Sequence, residues 1–327
     1  MEAVLYETPD NPAPENATVD FFTAHDGVRL RYAIFRSDVT PARGTVVLLH
    51  GRNECIEKYF ETIRDLNAMG LWVATYDFRG QGGSPRLLKN RVKGHVRRFA
   101  DYEQDLQTFL ETVVLPDTRL PFFLIAHSTG ALVALSAAPR LESRIERMVL
   151  SAPFVGIARV RMSMGMIRLL SNLYCLTGFG KVPVGRNTVN FGFEDNPLTA
   201  DATRFARTVG TLTAHPHLAI GLPTARWLRE AVTAIRRVTD PEHLRRIRIP
   251  TLILAPVRDG VIPYADQENL SRDFRAAQLI PITGARHELF QEKDIYRAQA
   301  LAAIAAFIPG SDAEERGAPM TLEQVEQ

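Results

Sequence analysis

The sequence lacks several features that would assign its class at once. Only two of its 327 residues are cysteines, Cys55 and Cys175. They lie far apart in no metal or redox spacing, so we expect no disulfide framework. No stretch approaches the roughly 18 consecutive apolar residues of a transmembrane helix. The opening MEAVLYETPDNPAPEN carries acids and prolines where a signal peptide needs a basic start and an apolar run. We therefore expect a cytoplasmic protein and leave open a peripheral position on the inner face of the membrane.

The sequence also has almost no excess of charge of one sign. The formal net charge of +2 gives no reason to expect a nucleic-acid partner. The 46% of hydrophobic and 23% of charged residues exclude a disordered or fibrous chain. His215 and His217 have no accompanying cluster of cysteines or carboxylates, so we interpret them as loop histidines and expect neither a metal nor an organic cofactor. The oligomeric state is left undetermined.

The chain does contain regular apolar patterns. Alternation in TVDFFTAHDGVRLRYAIF around Asp26-Gly27 predicts an antiparallel hairpin. Helical periods such as KYFETIRDLNAMG and DYEQDLQTFLETVV follow. Between them lie short apolar runs, typical of strands buried on both faces of a parallel sheet: GTVVLLH, LWVATYDF, FFLIAH, RMVLSAP and TLILAP. A further strand is predicted at AQLIPITG. This alternation predicts a mostly parallel, doubly wound α/β sheet.

The alternation of strands and helices stops between about Phe154 and Asp240, where only helical patterns occur. An all-helical insertion is the simplest interpretation. The predicted organisation is an N-terminal extension (1–17), a core in two parts (18–153 and 241–309), a helical cap (154–240) and a flexible tail (310–327).

A serine lies where one buried strand is expected to turn into a helix, in FFLIAHSTGALVAL. Ser128 has Ala126 and Gly130 two positions to either side, which matches the nucleophile-elbow pattern G-x-S-x-G with alanine in place of its first glycine. Small residues are needed there because the strained turn brings strand and helix into near contact. The alternative is that Ser128 only caps the helix.

An acid and a histidine follow in the order that such a nucleophile requires. Asp259 comes after the strand TLILAP, and His287 comes after AQLIPITG. His287 would act as general base for Ser128, and Asp259 would hold the tautomer of the imidazole. Taken singly, Asp259 could be a turn residue and His287 a helix-start residue. Asp266 is the nearest competing acid.

Two backbone N–H groups are needed to stabilise an oxyanion. The candidates are Thr129, which follows the nucleophile, and Arg52, in the loop His50-Gly51-Arg52 after the strand GTVVLLH. The alternative is an ordinary turn at the end of a strand. The stretch GQGG at 80–83 lacks the residues of a phosphate loop and is interpreted as a turn beside the site.

Together these motifs resemble the α/β-hydrolase family in its lysophospholipase and monoacylglycerol lipase branch. The HGR motif and the matching stretches of the cap are more similar to those of bacterial lysophospholipases than to those of glyceride lipases. The matching stretches are HGRNE (50–54), YDFRGQGGS (76–84), AHSTG (126–130), NPLTAD (196–201), GLPTARWLREA (221–231), RDGVIP (258–263) and RHELFQE (286–292). The resemblance implies an α/β-hydrolase fold and a serine esterase that cleaves the fatty-acyl ester of a lysophospholipid or similar monoacyl lipid through an acyl-Ser128 intermediate. Monoacylglycerol lipase, general carboxylesterase and a non-catalytic lipid-binding protein are the alternatives.

The sequence of the predicted cap gives an indication of the substrate class. No Asp or Glu occurs from Val155 to Phe193, where the cations lie among Met, Leu and Ile. Such a surface suits an acyl chain and an anionic headgroup or membrane, although simple packing of a helical cap explains the pattern equally well. The cations are Arg159, Arg161, Arg168, Lys181 and Arg186.

Overall fold

The hairpin and the parallel strands form one sheet. A computed structural model describes residues 3–158, 162–185 and 192–309. The strand order is β1-β2-β4-β3-β5-β6-β7-β8; β2 is antiparallel to both β1 and β4, and the other neighbours are parallel. The strands are β1 Ala17–Thr23, β2 Arg29–Phe35, β3 Gly44–Leu49, β4 Leu71–Tyr76, β5 Phe122–His127, β6 Arg147–Ser151, β7 Thr251–Pro256 and β8 Ala277–Ile282. The predicted mostly parallel sheet with an N-terminal hairpin is therefore confirmed.

Helices pack on both faces of this sheet. α1 and α10 lie against one face, and α2, α4, α7 and α9 against the other. The helices of the described residues are α1 Phe60–Ala68, α2 Ala100–Phe109, α3 Leu115–Asp117, α4 Thr129–Ala137, α5 Met164–Leu176, α6 Ala202–Ala214, α7 Ala225–Val238, α8 Pro241–Arg245, α9 Tyr264–Asp273 and α10 Asp294–Phe307. A π-helical turn, Leu110–Val114, joins α2 to α3.

The alternation of side chains along each strand divides the core in two. Val47 and Leu49 of β3 point to the layer of α2 and α4, whereas Val46 and Leu48 point to the layer of α1 and α10. All four are fully buried. A strand covered on both faces must be apolar throughout, which is why GTVVLLH has no polar alternation.

One predicted strand differs from this pattern. The run AQLIPITG forms the predicted strand, β8, but it is the edge strand of the sheet, and Gln278, Ile280 and Pro281 are exposed. Pro281 is tolerated because an edge strand leaves one row of N–H groups without a ladder partner.

The segment between β6 and β7 is helical in its described residues and contacts the carboxyl ends of the strands. Glu288 N–H donates to Leu198 O at 2.8 Å and Ala158 N–H to Val261 O at 2.8 Å. We propose that residues 154–240 form a cap over the core segments 18–153 and 241–309. The expected tail, 310–327, lies outside the described residues. Within the described residues no helix is both long and apolar enough to cross a membrane.

Candidate active site

Ser128 occupies the sharp turn between β5 and α4. Its backbone has φ 51° and ψ −113°, a conformation that L-residues rarely adopt. A methyl group on Gly130 would lie 2.6 Å from the carbonyl oxygens of both Leu49 and His50, so only glycine permits this approach of α4 to the end of β3. The Ser128 side chain makes no capping hydrogen bond to α4, so capping does not explain this serine.

The hydroxyl of Ser128 instead faces His287. His287 Nε2 lies 3.0 Å from Ser128 Oγ, and His287 Nδ1 lies 2.8 Å from Asp259 Oδ2. The second oxygen of Asp259 accepts from Val261 N–H at 2.8 Å and Ile262 N–H at 2.9 Å. The carboxylate is thereby held in place, and the structure brings the three predicted residues into one hydrogen-bonded line.

The charges in this line support one another. Burial by itself raises the pKa of Asp259, but His287 and the two N–H donors reverse this and leave the pKa below its ordinary value. For His287, burial by itself lowers the pKa, but the Asp259 carboxylate raises it above its ordinary value. The imidazolium that would form during proton transfer is therefore stabilised by its neighbour.

The competing acid is directed elsewhere. The carboxylate of Asp266 lies so close to Gly156 that a Cβ there would be 1.9 Å from Oδ2. Burial raises the pKa of Asp266. Since Asp259 holds the position next to His287, Asp266 has no part in the hydrogen-bonded line.

The loop after β3 leaves one amide free. Gly51 N–H donates to Glu54 Oε2, and Asn53 N–H donates to Gln81 Oε1 at 2.7 Å. In the described part of the chain, the amide of Arg52 between them has no acceptor. Nor has that of Thr129, the first residue of α4. These two N–H groups are the predicted oxyanion donors, and their availability agrees with that role.

His50 and the GQGG turn shape the same loop. His50 Nδ1 lies 2.7 Å from Gly51 O, and its Nε2 accepts from Phe78 N–H at 3.2 Å. Because Nε2 accepts, the proton is assigned to Nδ1, which then donates to Gly51. Gln81 anchors the loop from the other side through Asn53, which fits the interpretation of GQGG as a turn beside the site.

A buried ionic cluster behind His287 was missed by the motif analysis. Lys58 Nζ lies 2.7 Å from Glu54 Oε1 and 2.6 Å from Glu288 Oε1. His127 stands beside it, its ring 4.9 Å from that of His287, and burial lowers the His127 pKa to about 3, so this histidine is neutral. The only sequence signal was the i,i+4 spacing of Glu54 and Lys58.

Two other histidines are remote from these contacts. The rings of His215 and His217 pack against Tyr6, at centroid distances of 5.1 Å and 4.4 Å. No group of histidines, cysteines and carboxylates suited to a metal ion occurs among the residues described.

Comparison with known proteins decides the family. The model of the family described as "Serine aminopeptidase, S33" matches residues 40–294. The chain belongs to this family. "Lysophospholipase L2" of Escherichia coli K12 is 31% identical over 299 residues, which cover 88% of this chain and 86% of that protein. "Probable lysophospholipase L2" of Haemophilus influenzae is 30% identical over 301 residues, covering 91% and 94%.

A solved structure agrees with this chain in fold. A soluble variant of monoglyceride lipase from Saccharomyces cerevisiae, in complex with a substrate analogue, superposes with a TM-score of 0.74 at 18% identity; the match covers 94% of this chain and all of that one. At this identity the likeness shows the fold alone, and the fold is that of the α/β-hydrolases. The family resemblance predicted from the sequence motifs is confirmed.

Proposed function

We propose that this protein is a serine esterase that hydrolyses the fatty-acyl ester of a lysophospholipid or a similar monoacyl lipid. The observation that carries the proposal is the position of His287 between Ser128 Oγ and Asp259 Oδ2. A serine is a weak nucleophile until an adjacent base takes its proton, and the base must itself be oriented. The two lysophospholipase L2 relatives support the substrate class.

In each half-reaction His287 acts first as base and then as acid. His287 Nε2 takes the hydroxyl proton as Ser128 Oγ attacks the ester carbonyl, and the oxyanion receives hydrogen bonds from the amides of Arg52 and Thr129. His287 then donates that proton to the leaving glycerol oxygen, and an acyl-Ser128 ester remains. A water molecule, deprotonated by His287, attacks this ester, and His287 returns the proton to Ser128 Oγ as the fatty acid leaves.

The surface of α5 supports delivery of the substrate from a lipid phase. Leu169, Leu173 and Leu176 are 62%, 54% and 83% exposed, and Phe179 is 58% exposed. An exposed apolar patch of this kind marks an interaction surface. Lys181 is exposed and Arg168 is half-buried, whereas the other three cap cations, Arg159, Arg161 and Arg186, lie outside the described residues. We propose that α5 and these cations contact an anionic membrane surface.

A substrate panel tests the assignment. Purified protein and the variant Ser128→Ala are assayed on lysophospholipids, monoacylglycerols, short p-nitrophenyl esters and an aminoacyl p-nitroanilide. We expect hydrolysis of the monoacyl lipids, with lysophospholipids preferred, and no turnover by the variant. Preference for monoacylglycerols would reassign the protein as a glyceride lipase, and hydrolysis of only short esters would make it a general carboxylesterase. Cleavage of the anilide alone would contradict the esterase proposal.

A further inference from the structure

The side chain of Arg52 is a half-buried cation that has no counter-ion among the described residues. In the described part of the chain no carboxylate pairs with it. Other buried arginines are paired: Arg31 lies 2.7 Å from Glu57 and 2.5 Å from Asp77, and Arg79 binds Asp26 and Asp105. Buried charges in proteins are normally paired because desolvation of an isolated charge is costly. Arg52 is half-buried and, like Arg86 and Arg286, donates only to backbone carbonyl groups among the described residues.

The neighbours of Arg52 leave part of its hydrogen-bonding capacity unused. One guanidinium nitrogen donates to Gly221 O, and the group lies 5.4 Å from the ring centroid of Trp227. Nε is buried and has no acceptor. The residue as a whole is only partly buried, so the side chain is not sealed from solvent. A guanidinium presents five N–H donors in a planar fork, and Gly221 O uses one of them.

The protein environment disfavours the positive charge of Arg52 but does not deprotonate the side chain. Burial lowers the pKa of Arg52 to about 10, so the side chain remains a cation at neutral pH. An anion bound here would supply the missing counter-charge in a medium that screens little, where a charge-assisted, bidentate contact is strong.

The position of Arg52 relates this cation to the scissile ester. Its backbone N–H is one of the two proposed oxyanion donors, so its side chain starts beside the reacting carbonyl. The number of covalent bonds from the backbone nitrogen of Arg52 to its guanidinium carbon can be compared with a length in the substrate. It equals the number of bonds from the ester carbonyl carbon to the phosphorus in a 1-acyl lysophospholipid. This match in length allows a substrate held by its carbonyl at the amide to place its phosphate at the same residue's guanidinium.

We propose that the Arg52 guanidinium is the headgroup subsite, which binds the phosphate of a glycerophospho ester and selects it over a neutral monoacylglycerol. This inference rests on the proposed function and adds a residue that determines specificity. One residue then performs two tasks: its amide stabilises the oxyanion, and its side chain binds the phosphate. Arginine suits the second task because its fork matches two phosphate oxygens.

A purely structural role for Arg52 needs a matched control. Arg86 is a second arginine that reaches from the core to the same stretch of the cap, donating to His217 O and, at 3.3 Å, to Ala219 O. Arg86→Gln removes a comparable link between core and cap. If Arg86→Gln reproduces an effect of Arg52→Gln, that effect is therefore caused by weaker attachment of the cap to the core.

The experiment compares selectivity. Short-chain lysophospholipids and monoacylglycerols, both below their micellar concentrations, are hydrolysed by the parent, Arg52→Gln, Arg52→Lys and Arg86→Gln, and thermal unfolding confirms folding. The measured quantity is the ratio of kcat/KM for the phospholipid to kcat/KM for the glyceride. We expect Arg52→Gln to lower this ratio about 10- to 100-fold and Arg52→Lys to restore part of it, with Arg86→Gln leaving it within about twofold of the parent.

Binding gives a readout that does not depend on turnover. In the Ser128→Ala background, calorimetry should show that Arg52→Gln weakens the binding of the lysophospholipid more than that of the glyceride. An unchanged ratio, or equal losses in Arg52→Gln and Arg86→Gln, overturns the inference while leaving the esterase proposal intact. A parent protein that hydrolyses short esters but no monoacyl lipid refutes the proposed function itself, and the two failures are thus distinguished.

Discussion

His287 Nε2 lies 3.0 Å from Ser128 Oγ, although 159 positions of sequence separate the two residues. Both belong to loops at the carboxyl ends of parallel strands, β5 for Ser128 and β8 for His287. Parallel strands place these ends at one edge of the sheet, which is where open α/β sheets collect their functional groups. We propose that the two are nucleophile and base, and a contact of this kind would make their side chains act as one unit.

Removal of either member of the pair should abolish turnover. We expect Ser128→Ala and His287→Ala each to lower kcat by about 10⁴- to 10⁶-fold, and the double variant to be no worse than the poorer single one. Circular dichroism should show an unchanged fold. A fluorophosphonate probe should label the parent at Ser128 and leave Ser128→Ala unlabelled; labelling at another serine would refute the assignment.

The pH dependence should report the coupling between His287 and Asp259. Catalysis needs neutral His287, so kcat/KM on a soluble ester should fall as the pH drops through the pKa of this residue. That pKa lies above the ordinary value of 6.5 because the Asp259 carboxylate, opposing the effect of burial, favours the protonated ring. In Asp259→Asn the carboxylate charge is lost, so the acid limb should move to lower pH while the maximal rate drops by about 10⁴-fold. An acid limb that stays in place would mean that another group sets it.

The close approach at the elbow predicts a specific glycine requirement. Gly130→Ala places a methyl group 2.6 Å from two backbone carbonyl oxygens, which cannot move aside as a flexible side chain can. We expect a loss of about 2–4 kcal/mol in unfolding free energy or a displaced Ser128 with much reduced kcat. The matched control is Gly210→Ala in α6, where a methyl group meets nothing within 4 Å and should stabilise by about 0.5–1 kcal/mol. Equal effects at the two sites would contradict this explanation.

The cluster of Lys58, Glu54 and Glu288 should contribute strongly to stability. Lys58→Met leaves two buried carboxylates without their cation, and we expect a loss of about 3–5 kcal/mol in urea denaturation at neutral pH. The deficit should shrink as the pH falls toward the ordinary carboxyl pKa of about 4.3, since protonated carboxyls need no cation. The control Arg272→Met removes an exposed partner of Glu268 and should cost less than about 1 kcal/mol. A pH-independent deficit would point to lost packing of the Lys58 stem.

The proposed membrane contact predicts a separation of binding from chemistry. Replacement of the five cap cations by Gln should weaken binding to anionic vesicles by about 1 kcal/mol per exposed cation. Raised salt should have the same effect, because surface attraction is screened over about 8–10 Å near physiological ionic strength. Hydrolysis of a short soluble ester should change little. Vesicle sedimentation and an ester assay measure the two, and intact vesicle binding combined with lost ester activity would show that these cations only pack the cap.

A second set of variants separates the apolar part of the contact. Leu169→Ser, Leu173→Ser and Leu176→Ser together remove exposed apolar surface from α5. Binding to neutral vesicles should fall, and it should not recover at low salt, because apolar burial is not screened by ions. Unchanged binding to neutral vesicles would remove α5 from the proposed surface.

The order of elements and the principal motifs were determined by the sequence alone. Continuous apolar runs indicate burial on both faces of a sheet. The small residues on either side of Ser128, Ala126 and Gly130, indicate a turn that admits only small neighbours. These are properties of adjacent residues, so a local pattern is enough to predict them. The edge position of β8 was not predictable in this way, because an apolar run does not show which strand ends the sheet.

Charge pairing was decided only by the tertiary structure. The sequence left Asp259 and Asp266 as competing acids, and the fold placed Asp259 2.8 Å from His287 and Asp266 against Gly156. It also placed Lys58 between Glu54 and Glu288, whereas no carboxylate of the described residues pairs with Arg52. The physical reason is that the state of a buried charge depends on groups a few ångströms away in space, which lie far apart along the chain.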